Sequence, residues 1–206
     1  PIGEIVRELE KIRHEMRVND GDMSFIASDD TDYDWIKKYV TGQIELGLGT
    51  ENEKFDEYFR FKREFLMING HSNVGKTTFT LWLMVAASML HGWKWLVYSA
   101  ENPTWANKMK VMQFCMDMPI KRMNHKELTT AHDWVNKHFT FIDNHKNYSY
   151  SDILVFAEKM LKYEGLDGVL IDPYNALRID MSAHRGISTH EYHYEAASEF
   201  LTFSVK

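Results

Sequence analysis

Residues 70 to 77 read Gly70-His71-Ser72-Asn73-Val74-Gly75-Lys76-Thr77. The apolar run Glu64 to Asn69 precedes them and the helix-forming run Lys76 to Leu90 follows. The eight residues fit G-x-x-x-x-G-K-S/T, the pattern of a phosphate-binding loop set between a strand and a helix. At average residue frequencies the bare pattern arises by chance in about one chain per hundred of this length, and less often with these flanks, so a phosphate site is the stronger reading. Gly70 and Gly75 let the backbone curl until its N–H groups converge on phosphate oxygens, reinforced by the positive end of the helix that begins at Lys76. The expected contacts run through Gly70, Ser72, Asn73, Val74, Gly75, Lys76, Thr77 and Thr78. Lys76 neutralises the β and γ phosphates of a bound ATP or other nucleoside triphosphate, and the Thr77 hydroxyl is the expected Mg²⁺ ligand.

A loop of this kind needs an acid that reaches the metal. Gly168-Val169-Leu170-Ile171-Asp172 has the form of a buried strand that delivers a carboxylate to its C-terminal edge, and Asp172 is expected to hold Mg²⁺ through its water shell. The residue that follows is Pro173, so the group orienting the attacking water must come from elsewhere. Glu101 closes the run Trp95 to Ala100, at the end of the strand after the phosphate-loop helix, and is the expected catalytic acid beside Lys76. The competing reading of Glu101 is a surface residue that caps the helix after Pro103.

Around these elements the chain alternates. Apolar runs at Glu64 to Asn69, Lys94 to Ser99, Phe139 to Ile142 and Gly168 to Asp172 predict strands. Periodic stretches near Lys76 to Leu90, Pro103 to Met116, His125 to Lys137, Ser151 to Tyr163 and Thr189 to Ser204 predict helices. Ser188 with Glu191 forms a capping box at the head of the last helix. Strands that are apolar throughout suit a mostly parallel sheet covered by helices on both faces, an α/β fold. Ahead of it, Ile2, Ile5, Val6, Leu9, Ile12 and Met16 recur at spacings of three and four and predict an amphipathic linker helix. The acidic, polar run Asn19 to Asp34 reads as a loop, giving a leading segment 1–41 and a nucleotide-binding domain 42–206.

Composition agrees with a folded domain of 206 residues: 44% hydrophobic, 14% aromatic and a net charge of −6 exclude disordered and collagen-like chains. The single cysteine, Cys115, excludes an internal disulfide framework and favours a reducing compartment. The longest apolar stretch, near Leu81 to Leu90, falls well short of the roughly 20 residues that cross a bilayer, and Pro1 to Arg17 is too charged for a signal peptide. Neither membrane association nor secretion is expected.

The combination of phosphate loop, Glu101 at the end of the next strand, and Asp172 without a following acid resembles the RecA-like ATPase core of DnaB-type replicative helicases. Gly92-Trp93-Lys94, Ser99-Ala100-Glu101-Asn102, Ile171-Asp172-Pro173-Tyr174-Asn175-Ala176-Leu177 and Thr189-His190-Glu191-Tyr192 narrow the likeness to the Twinkle-like helicases of phages and organelles. Leu48-Gly49-Thr50 with Phe55, Tyr58 and Phe59 resembles the segment entering that family's first strand. The resemblance spans about Gly47 to Lys206. It implies a RecA-like P-loop NTPase preceded by a linker helix and an Mg-ATP-dependent DNA helicase. Such a protein works as a ring, usually a hexamer, that translocates on single-stranded DNA, with a primase or polymerase as further partners. The cytoplasm of a phage-infected bacterium is the implied setting, ahead of an organellar matrix.

The family continues past the point matching Lys206 with a phosphate-sensing strand, a DNA-binding loop and a basic finger that completes the neighbour's site. The resemblance therefore implies that 42–206 is C-terminally incomplete and that the isolated chain binds nucleotide without unwinding DNA. It also places Arg178, His184 and Arg185 where a channel-lining loop would follow phosphates; an ordinary exposed loop is the equal alternative. Two rivals stay open: another RecA-like ATPase, a recombinase or regulatory ring, and a truncated nucleotide-binding module without turnover.

Three further signals point to ordinary structure. Asp30, Asp32 and Asp34 suggest a calcium loop, but Trp35 stands where glycine is required and Thr41 where glutamate is. His190-Glu191-Tyr192-His193 is one residue short of zinc-protease spacing, so its histidines read as solvent or interface residues. The Met and Trp positions of Leu81 to Trp95 and Met109 to Met118 read as core.

Overall fold

The computed structural model describes residues 30–44, 46–179 and 188–205. The chain separates into two units, 1–46 and 47–206. The expected helix over Ile2 to Met16 lies outside the described residues, as do His184 and Arg185.

In the first unit, Asp30–Val40 forms helix α1. This corrects the loop expected through Asp34. The sequence DTDYDWIKKYV places acids in the first turns and Lys37 and Lys38 in the last, as the helix dipole favours. Lys37 lies 3.6 Å from Asp34 and caps the ring of Tyr33 at 4.4 Å, while Lys38 lies over Trp35. These contacts within the helix support it without burial, for Trp35, Ile36, Tyr39 and Val40 are all exposed.

The second unit opens with an antiparallel bridge between Leu48 and Phe61 that brackets one helical turn, α2 (Glu53–Asp56). Beyond it come α3 (Lys76–His91), β1 (Trp95–Ser99), α4 (Thr104–Cys115), α5 (His125–His138), β2 (Phe139–Phe141), α6 (Tyr150–Tyr163), β3 (Gly168–Asp172) and α7 (Thr189–Ser204). The strands form a three-stranded parallel sheet in the order β2-β1-β3. The architecture is thus α/β, a small parallel sheet flanked by helices, and its layout is compatible with a Rossmann or RecA-like arrangement. Five expected helices form within a residue or so of their expected ends, and α7 starts at the Ser188–Glu191 capping box. Asn124–Glu127 and Ser149–Asp152 form two more such boxes at α5 and α6. Among the described residues no helix is long and apolar enough to cross a membrane.

One expected strand does not form. Glu64 to Asn69 makes no ladder with any described strand, and Leu66 and Met67 are exposed. A strand requires a partner edge as well as an apolar run, and Phe65 instead stacks on Phe200 of α7 at 6.1 Å with the rings nearly parallel.

Alternation in β1 divides the core. Val97 packs with Leu81, Met84 and Val85 of α3 and Val111 and Met112 of α4, and Leu170 of β3 joins this cluster. Leu96 and Tyr98 turn to the other face, against Ile153 and Ala157 of α6, with Val169 and Ile171. In both strands, then, alternate residues serve opposite helical layers, the reason their sequences are apolar throughout. Of the Met and Trp positions expected in the core, Met84 and Met112 are buried, whereas Trp82 and Met89 are exposed.

Candidate functional site

Helix α3 grows directly out of the glycine loop. Gly75 takes a left-handed conformation, φ 95°, and its carbonyl accepts from the Phe79 N–H at 2.8 Å, so the helical ladder starts at once. No side chain caps this end, and the first-turn N–H groups of α3 keep the donor character that attracts anions. Asn73 is also left-handed, φ 61°, which an asparagine tolerates better than most residues. Ser72, Asn73, Val74 and Thr78 are exposed. The half-buried Lys76 reaches back over the loop and donates from Nζ to the carbonyls of Gly70, 2.8 Å, and His71, 2.7 Å. Its ammonium is thereby held within the loop rather than on the outer face of the helix.

The sheet brings the second element to this point. Asp172 ends β3 on the face that carries Leu170, the α3 face, and its Oδ2 accepts a 2.8 Å hydrogen bond from Thr77 Oγ1. Ninety-five positions of sequence separate the two residues, so the contact is a product of the fold. Glu101 is exposed and follows Ala100, whose N–H donates to the Asp172 carbonyl at 3.0 Å. The turn carrying Glu101 is therefore tied to the end of β3. Asn144 fastens the same turn from beyond β2, donating from Nδ2 to Ser99 O at 3.1 Å and Asn102 O at 3.0 Å. Nothing singled out Asn144 in sequence, although an asparagine just past a strand of a parallel sheet stands at the edge where such sites are built.

The loop after β3 is held from several sides. Tyr174 lies in a single 3₁₀ turn, Tyr174–Ala176, and its hydroxyl shares a 2.8 Å hydrogen bond with His193 Nδ1 of α7. Burial raises the Tyr174 phenol above its usual value. His193, expected at a solvent or interface position, is thus engaged within the unit, whereas His190 is exposed. The Tyr192 hydroxyl donates to Arg178 O, and the Arg178 guanidinium lies 3.3 Å from the Asp152 carboxylate of the α6 capping box. A small cavity of about 220 Å³ opens here among Tyr150, Tyr174, Leu177, Tyr192 and His193. Burial pushes the thiol of the half-buried Cys115, at the end of α4, up to about 11.

Among the described residues no group of three or more His, Cys, Asp or Glu is placed to hold a metal. Thr77 and Asp172 contribute a hydroxyl and a carboxylate at one point, hard oxygen donors of the kind Mg²⁺ takes along with waters and phosphate oxygens. No protein-family model matches the chain. Comparison with curated proteins likewise gives no match.

Proposed function

We propose that residues 47–206 form a P-loop, RecA-like nucleotide-binding unit that binds and hydrolyses Mg-ATP, and that the protein acts as a replicative DNA helicase moving on single-stranded DNA as a ring. The observation that carries the nucleotide reading is the hydrogen bond from Thr77 to Asp172, which joins the head of the phosphate-loop helix to the end of a central-sheet strand. The helicase reading is narrower. It rests on the likeness of Ile171-Asp172-Pro173-Tyr174-Asn175-Ala176-Leu177 to the Twinkle-like helicases.

In this reading the residues divide the work by chemistry. The loop from Gly70 to Gly75 and the first-turn N–H groups of α3 surround phosphate oxygens, and the Lys76 ammonium exchanges the Gly70 and His71 carbonyls for phosphate. Thr77 and Asp172 hold Mg²⁺, which when bound offsets the charge that builds on the phosphates during transfer. Glu101 orients a water for attack, and the ties from Ala100 and Asn144 keep its turn at the end of β3. Arg178 and Arg185 follow DNA phosphates in the ring channel.

Calorimetry of Mg-ATP on the 206-residue chain tests the nucleotide reading, with Lys76→Ala as the control. Binding by the wild type and its loss in Lys76→Ala are expected; equal affinity in both would refute the phosphate-loop assignment. ATPase activity of the intact protein with and without single-stranded DNA tests the helicase reading, since a regulatory ring ATPase would give turnover that DNA does not stimulate.

A further inference from the structure

Ser99 ends β1, pairs in register with Asp172 across the parallel ladder, and is only 6% exposed. Partners in register on adjacent strands direct their side chains to the same face of the sheet. Two residues earlier the pair Val97 and Leu170 lies in the cluster built from α3 and α4, so Ser99 and Asp172 both face that layer, one step nearer the carboxyl edge. The Asp172 carboxylate there meets Thr77; the Ser99 hydroxyl has no protein partner. Asn107 is the second case among the described residues. It is 1% exposed, its Oδ1 has no protein partner, and it lies one helical turn before Val111 on the buried face of α4. Because α4 follows β1 and packs back against the same layer, its first turn stands near the carboxyl end of the strands.

A buried hydroxyl left without a partner costs a fold stability, and native proteins retain such groups where a water, ion or ligand completes them. A serine buried for packing alone has its hydroxyl bonded within the protein, as Ser88 of α3 does with Trp93 O. We infer that Ser99 is a positioning residue of the proposed Mg-nucleotide site: its hydroxyl orients a water of the Mg²⁺ shell beside the Asp172 carboxylate. The inference rests on the nucleotide reading above. It assigns Ser99 a task separable from that of the loop. Lys76 and the glycines grip phosphate with or without metal, whereas Ser99 acts only on the metal-dependent part of affinity. Outer-shell partners of this kind are typically worth about ten- to a hundred-fold in metal affinity.

The test is a Mg²⁺ titration of ATP binding to the 206-residue chain, comparing wild type, Ser99→Ala and Lys76→Ala, together with thermal melting of each protein without nucleotide. For Ser99→Ala the expected results are ATP affinity in chelator equal to wild type, a Mg²⁺ midpoint raised about tenfold, and a melting temperature equal to wild type or higher. An unchanged midpoint in a wild type that binds Mg-ATP would overturn the role of Ser99 and leave the nucleotide reading intact. A melting temperature several degrees lower would make the hydroxyl structural and also overturn it. Absence of any binding by the wild type would remove the nucleotide reading itself, and this inference with it.

Discussion

Gly168→Ala should disrupt the strand that carries Asp172, through a single methyl group. Gly168 pairs in register with Trp95, and the indole lies flat across the position a side chain would occupy. A Cβ at residue 168 would fall 2.1 Å from Cζ3, 2.4 Å from Cε3 and 2.9 Å from Cη2 of Trp95. Carbon atoms settle at roughly 3.5–4.0 Å, so ring and strand must part by about 1.5 Å. The ring is poorly free to yield, because its Nε1 donates both to Met84 O at 3.1 Å and to Ser88 Oγ at 3.0 Å. Overpacking of this sort costs about 1–3 kcal/mol, and loss of one indole hydrogen bond adds about 1 kcal/mol, so a destabilisation of roughly 2–4 kcal/mol is expected. Urea unfolding followed by far-UV circular dichroism measures it. Trp95→Leu removes the obstruction, and Gly168→Ala should cost less than about 1 kcal/mol in that background. If the two substitutions instead add to within about 0.5 kcal/mol, the contact is not what requires glycine, and the packing argument fails.

Further outcomes follow from the site and its supports. In the intact protein, Glu101→Gln should keep ATP affinity and lose most turnover, because it removes a carboxylate while leaving the turn held by Asn144; normal steady-state turnover would move the water-orienting role to another acid. The Thr50 hydroxyl and backbone N–H, each 2.7 Å away, hold the Asp56 carboxyl below its ordinary 3.8. Its contribution to stability is therefore present above that value and lost as pH falls through the lower folded one. Asp56→Asn should flatten the acid limb of a stability-against-pH curve, and an acid limb identical to wild type would show that other carboxylates govern it.

Features encoded over a few neighbouring residues were readable in the sequence, and residues joined by distant contacts were readable only when chemistry demanded them. The capping box at Ser188 and Glu191 is local, and α7 begins there. Helix α1 is local too, yet its first residues belong to the polar run Asn19 to Asp34, rich in Asp and Ser, that reads as a loop; its support comes from lysines set against acids and rings within the helix. The run Glu64 to Asn69 has strand composition, but whether it pairs depends on an edge elsewhere in the fold, and Phe65 meets Phe200 instead. Thr77 and Asp172 were each legible as candidates for one Mg²⁺ site, but their direct hydrogen bond across 95 positions is visible only in the fold. Ser99 and Asn107 gave no comparable sign. Each is an ordinary polar residue until the fold buries it and leaves an oxygen without a partner.

The position of Asp172 thus depends on choices made four residues earlier. In a parallel ladder each register pair fixes which face the next pair presents, so the Trp95 and Gly168 pair, Val97 and Leu170, and Ser99 and Asp172 all lie on the α3 side. The first pair sets how closely the strands approach, since a bulky ring can lie there only over a glycine. The second fills the core beneath the helix. The third, with nothing apolar left to bury, sets two oxygen-bearing side chains at the edge where α3 begins. A slip of β3 by one residue against β1 would turn Asp172 to the α6 face, away from Thr77 and Ser99, and set a neighbour such as Ile171 in its place. Packing between β1 and β3 therefore determines whether Asp172 meets Thr77 at all, and substitutions at Trp95 or Gly168 should alter Mg-nucleotide affinity although neither residue lies in the glycine loop.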